Sequence, residues 1–120
     1  MKFPAVVAIV MGVGMIGQWG MFIITGQVPE LQSEPVAIAF HLAAEFLTAI
    51  ALITGGVALL KRVEWARPIS FVAYGMLLYT AVVSPGYFGQ LGQWAFVGMF
   101  AVILIFALIS VFILLRAKTI

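Results

Sequence analysis

Cysteine is absent from all 120 residues. That excludes a disulfide framework, a cysteine metal site and thiol chemistry. Histidine occurs once, as His41, and charge is scarce: four carboxylates and six basic side chains make up 8% of the chain. A soluble domain carries about 25% charged residues. The basic residues are too few and too dispersed for a nucleic-acid-binding patch, so no nucleic-acid partner is expected. One His without Cys cannot supply the three or four protein ligands of a zinc site, and the Glu-x-x-His motifs of a di-iron bundle are missing. Haem would find a single His, or a Met/His pair at best. There is no Ser/His/Asp set and no phosphate-binding loop, so nothing in the sequence points to an enzyme.

What is abundant is apolar sequence. Hydrophobic residues are 65% of the chain and the mean hydropathy is +1.24. Soluble domains are about 45–50% apolar, and no core of this size could hide the excess. The reading is therefore an integral membrane protein whose partner is the lipid bilayer. Four stretches approach the ~20 residues needed to cross one, at about 3–25, 36–60, 69–83 and 94–115. The first starts like a signal peptide. Its apolar run lasts about 22 residues, beyond the ~7–15 of an h-region, and no A-x-A site follows, so it reads as a retained span. The expected fold class is all-α: one domain, a four-helix transmembrane bundle of up-down antiparallel topology, joined by short loops.

The basic residues orient it. Lys2 precedes the first span, Lys61, Arg62 and Arg67 lie between the second and third, and Arg116 and Lys118 follow the fourth. All fall on one side, which the positive-inside rule assigns to the cytoplasm, with both termini there in the cell membrane. Within the first span, Gly12, Gly14 and Gly17 spell G-x-G-x-x-G. The dinucleotide reading needs a strand–turn–helix context, which a membrane span does not offer. With Gly20, these glycines instead suit close approach of a neighbouring helix, as do Ala44/Thr48 and Ala51/Gly55 in the second. Gly55-Gly56 is expected to loosen or bend that second helix.

The second span carries the chemistry. His41 and Glu45 stand four residues apart on one helical face, and an ionisable residue at membrane depth is a functional-site hypothesis. At 1.5 Å per residue His41 lies roughly 8–9 Å, and Glu45 roughly 14 Å, below the outer end. Gln18 in the first span and Tyr79 and Thr80 in the third reach a similar level, Thr48 follows one turn deeper, and Gln90 and Gln93 sit at the outer mouth. The inner half shows almost no polar groups. The expectation is a polar pocket open to the outside with Glu45 at its floor, where Glu45 and His41 bind a ligand or a proton with help from Gln18, Thr48, Tyr79 and Gln93. A packing role stands beside it: Gln, Thr and His also serve as interhelical hydrogen-bond partners, at roughly 0.6–2 kcal/mol each.

The segment EFLTAIALITGGVALL, with Glu45 and Gly55-Gly56, resembles the DoxX-like group of small four-helix membrane proteins. The Glu of that group lies nearer its Gly-Gly than Glu45 does. The resemblance covers about one span and implies four helices and, from some members of that group, a link to quinone-dependent redox complexes. Two functions are therefore carried forward. One is binding or transport of a small molecule with proton coupling at Glu45 and His41. The other is an accessory or assembly subunit of a membrane redox complex, in which the polar cluster packs or contacts a quinone; no cofactor is expected from the residues themselves. The glycine-rich helix faces lead us to expect a homo-oligomer or a place in a larger membrane complex.

Overall fold

The computed structural model describes residues 2–117, all of them in helices or short connections. Lys118 lies outside the described residues. The elements are α1 (Lys2–Ile24), α2 (Glu30–Ser33), α3 (Pro35–Lys61), α4 (Ala66–Gln90) and α5 (Trp94–Arg116). All four long helices are long and apolar enough to cross a membrane. The single turn of α2 sits inside the stretch expected to be a plain loop.

Local chemistry sets the ends. Pro35 opens α3, where its missing N–H does no harm, and Arg62 closes it in the left-handed conformation (φ 56°) with its N–H on the carbonyls of Ala58 and Leu59. Gly26 (φ 72°) and Gly92 (φ 75°) turn the chain after α1 and α4.

The third long helix departs from expectation. Hydropathy puts it at 69–83 with a glycine-rich loop after it, but α4 runs on to Gln90 with Pro85 inside it. Proline removes one helical hydrogen bond. The last turns are held by side chains instead. Phe88 stacks on Phe96 (centroids 4.6 Å apart) and lies 5.9 Å from Phe100, and the Tyr87 hydroxyl donates to Glu30 Oε1 at 2.9 Å. At 25 residues α4 is about 37 Å long.

The four long helices form a closed ring in the order α1, α3, α4, α5. Residues 5–9 of α1 meet Gly56 of α3 while Gly12 meets Ala49 and Ile53, so these helices run in opposite directions. Gly55 meets Ser70 while Glu45 meets Thr80, so α3 and α4 do too. Arg67 reaches the Leu115 carbonyl while Phe88 meets Phe96, which makes α4 and α5 antiparallel. Phe3 on Phe106 and Phe22 on Phe96 close the ring between α1 and α5. The start of α1, the α3–α4 connection and the end of α5 thus share one end, which carries Lys2, Lys61, Arg62, Arg67 and Arg116. We call it the basic end and the opposite one the far end.

Close packing depends on two adjacent glycines. A Cβ at Gly55 would lie 2.9 Å from Ser70 Oγ, and one at Gly56 would lie 2.7 Å from the Ala5 carbonyl oxygen. Successive helical residues point about 100° apart, so one glycine admits α4 and the next admits α1. The pair does not break α3, which is continuous through it. Gly12 is the third contact, since a Cβ there would lie 2.7 Å from the Ala49 carbonyl oxygen. Gly14, Gly17 and Gly20, expected on the same contact face, lie open: a Cβ added at any of them would meet no neighbouring atom within 4 Å. Of the α1 glycines, Gly12 alone falls on the stripe that α3 covers.

The half of the bundle nearer the basic end is more polar than expected. Tyr74 is fully buried there and its hydroxyl donates to the Pro4 carbonyl at 2.5 Å. Ser70 donates to the Gly55 carbonyl at 3.3 Å, and Ser110 to that of Phe106 at 2.9 Å. These hydroxyls tie helix to helix or bond within their own turn, which removes the cost of burying them. The outside of the bundle is apolar, with Val10, Phe40, Leu47, Val72, Leu108 and Phe112 among its exposed side chains. Even in the most apolar window of α1 only 11% of residues are buried. Water would oppose such a surface and lipid would not.

The glycine contacts make a prediction. Gly56→Ala and Gly12→Ala each force a methyl against a neighbouring backbone carbonyl and are expected to destabilise the fold by about 1–3 kcal/mol. Gly14→Ala and Gly17→Ala are expected to leave the melting temperature in detergent unchanged or slightly higher. Equal behaviour of the two pairs in a thermal melt would show that α1 and α3 do not pack this way.

Candidate functional site

Glu45 sits one-third of the way along α3 from its far end, on the face turned to α4, and is 7% exposed. Its Oε1 accepts a hydrogen bond from Thr80 Oγ1 at 2.5 Å. The Thr80 hydroxyl is in turn 2.9 Å from Ser84 Oγ, one turn further along α4. His41 Nε2 lies 3.7 Å from the same Glu45 oxygen. Among the described residues no other side chain comes within bonding distance of that carboxylate. The result is a short polar file, His41–Glu45–Thr80–Ser84, across the α3–α4 seam.

Its two ends differ. Glu45 is enclosed, whereas the His41 side chain is 45% exposed. One edge of the imidazole is held by Trp19 of α1, whose ring meets it edge-on at 5.6 Å. Trp19 is itself held edge-on by Phe22 at 6.0 Å. The imidazole therefore stands between a buried acid and the surface, fixed by an aromatic wall. Such a group can pass a proton between the carboxylate and whatever lies against that surface. The Thr80 hydroxyl satisfies one carboxylate oxygen by donating to it.

The residues read from the sequence fall into two groups. His41 and Glu45 are together, as their spacing required. Thr48 is buried one turn away, but its hydroxyl donates to the Ala44 carbonyl of its own helix at 2.7 Å. Gln18 is half-buried beside Trp19, and no side-chain hydrogen bond joins it to the file among the described residues. Gln93 is exposed at the start of α5 and does not cap it with its side chain. Tyr79 is 72% exposed, and no side-chain hydrogen bond joins it to the file among the described residues. The next residue, Thr80, is the one that meets the carboxylate, because one helical step turns a side chain by about 100°.

Ser84 is the member of the file that hydropathy misses, because it falls just past the end of the third span read from the sequence. Spacing could have found both hydroxyls. The buried residues of α4 are Ala66, Ser70, Ala73, Tyr74, Leu77, Thr80 and Ala81, a stripe at steps of three and four whose next member is position 84.

Fold and site together define a class: an all-helical bundle of four apolar, membrane-length helices with a carboxylate, an imidazole and two hydroxyls in one interhelical seam. Within that class the chain belongs to the family described as domain of unknown function (DUF8058), which it matches over residues 1–120. No curated protein and no solved structure matches it.

Proposed function

We propose that the protein is a multi-pass membrane protein that binds a small molecule at the His41–Glu45–Thr80–Ser84 file, with Glu45 taking up or releasing a proton as the molecule binds. The observation that carries this reading is the enclosed Glu45 carboxylate with a hydroxyl donor on one side and a half-exposed imidazole on the other. A glutamine would have served helix packing without the several kcal/mol cost of placing a charge at membrane depth. Orientation follows from the basic end, which takes the cytoplasmic side with both termini. The site then lies in the outer half of the bilayer. Transport across the membrane extends the same reading, with protonation of Glu45 coupled to movement of the ligand.

A second reading is favoured by the exposure of His41. Its side chain is 45% exposed, so it is open to a molecule arriving from outside the bundle. A ligand arriving that way travels in the lipid, which suits a quinone and a role as an accessory subunit of a membrane redox complex. The resemblance to the DoxX-like group points the same way.

Native mass spectrometry separates the readings. Protein purified in mild detergent is expected to carry a small molecule that Glu45→Gln protein, purified alike and melting within a few degrees, has lost. Wild-type protein with nothing bound, or a Glu45→Gln protein that keeps its ligand, contradicts the proposal. A bound mass equal to that of a quinone, or partner chains retained with the complex, selects the second reading.

The sidedness has its own test, made simple by the absence of cysteine. A membrane-impermeant maleimide applied to intact cells is expected to label Gln27→Cys, in the connection after α1, and to spare Glu64→Cys, in the α3–α4 connection. The reverse pattern would invert the orientation.

A further inference from the structure

A groove of about 360 Å³ runs along α3 at the basic end, remote from Glu45. Ile53, Thr54, Val57 and Ala58 line it along roughly one and a half turns of α3, and Lys61, Val63 and Trp65, at the end of α3 and in the α3–α4 connection, complete its lining toward the basic end. The site proposed above uses none of these residues. Ile53 and Lys61 are eight residues apart, so the lining extends roughly 12 Å along the apolar length of α3.

We infer that this groove holds one anionic phospholipid, with an acyl chain against Ile53 and Val57 and the headgroup phosphate at Lys61. Three features select that occupant. The lining is apolar along the helix axis, the direction in which a lipid chain lies beside a membrane-crossing helix. The end of the groove at Lys61 carries charge of one sign: Lys61 is followed by the exposed Arg62, and the 61–67 segment holds three basic residues against one acid, Glu64. Trp65 is 51% exposed at that end, where an indole pairs an apolar ring with an N–H donor at headgroup level. A zwitterionic lipid fits the lining equally well but gains less at Lys61. A basic side chain near the membrane surface favours an anionic headgroup by roughly fivefold in binding constant, about 1 kcal/mol.

Trp65 supplies the readout. The other two tryptophans, Trp19 and Trp94, lie toward the far end. Replacing them with Phe leaves Trp65 to report on lipid in the groove. The protein is reconstituted into vesicles of equal parts phosphatidylglycerol and phosphatidylcholine, with brominated chains on one lipid or the other. Brominated phosphatidylglycerol is expected to quench Trp65 with an apparent binding constant at least threefold that of brominated phosphatidylcholine. Lys61→Gln is expected to bring the ratio close to one, and Lys2→Gln to leave it unchanged. Equal quenching by the two lipids in the protein with Lys61 overturns the inference. So does a preference that survives Lys61→Gln, because it then reflects the charge of the whole basic end. Native mass spectrometry of the protein with all three tryptophans gives a check that does not rely on the Phe substitutions. Retained phosphatidylglycerol that disappears with Lys61→Gln supports the groove, and its absence from the starting protein counts against it.

Discussion

The structure turns on a carboxylate enclosed between two helices. A buried carboxylate is stable only where the protein replaces the water it has lost. Here the replacement is the Thr80 hydroxyl, supported by Ser84 behind it and by His41 one turn away. That arrangement requires α3 and α4 to lie close and in one register. Gly55 against Ser70 provides both. Ten residues separate Glu45 from Gly55 and ten separate Ser70 from Thr80, so the glycine contact and the acid–hydroxyl contact belong to the same antiparallel alignment. Shifting the alignment by one residue would rotate Thr80 away and leave the acid without its donor.

The two halves of the bundle solve different problems. Toward the basic end the core is Ala5, Ala8, Leu59 and Ala66, with Tyr74 spanning to the Pro4 carbonyl. Its small residues allow the backbones to approach, and the buried hydroxyls of Ser70, Tyr74 and Ser110 all have partners, so this half works as the clamp. Toward the far end the helices are held by aromatic rings, Phe22, Phe88, Phe96 and Phe100, and the seam between α3 and α4 holds the polar file. In the far half, side chains rather than backbone contacts set the spacing between helices.

Much of this is legible in the sequence, and the failures have physical causes. Four helices follow from hydropathy, because a helix satisfies its own backbone hydrogen bonds along an unbroken apolar run of that length. The end of α4 does not, because Ser84, Pro85, Gly86 and Gly89 all disfavour a helix locally, and the contacts that override them, Phe88 with Phe96 and Tyr87 with Glu30, join segments distant in the chain. Glu45 and His41 stand out as the sole ionisable pair inside a span. Tyr79 and Thr80 share a depth, but Thr80 is the one that meets Glu45. Depth along a helix is known from residue count to within a turn, but facing depends on which stripe the neighbours cover. The glycines of α1 show the same limit: four suit close contact by composition, and only Gly12 lies under α3.

Mutual stabilisation of the Glu45 carboxylate and the Thr80 hydroxyl inside the bundle is open to direct measurement. A double-mutant cycle of Glu45→Leu, which removes the acceptor, and Thr80→Val, read from reversible unfolding in mixed micelles with Tyr79→Phe as the exposed control, gives this coupling without knowledge of the ligand. A coupling of about 1.5–3 kcal/mol is expected, the range for a hydrogen bond to a charged group, with no measurable effect of Tyr79→Phe. Additivity of the two substitutions to within ~0.5 kcal/mol would contradict it.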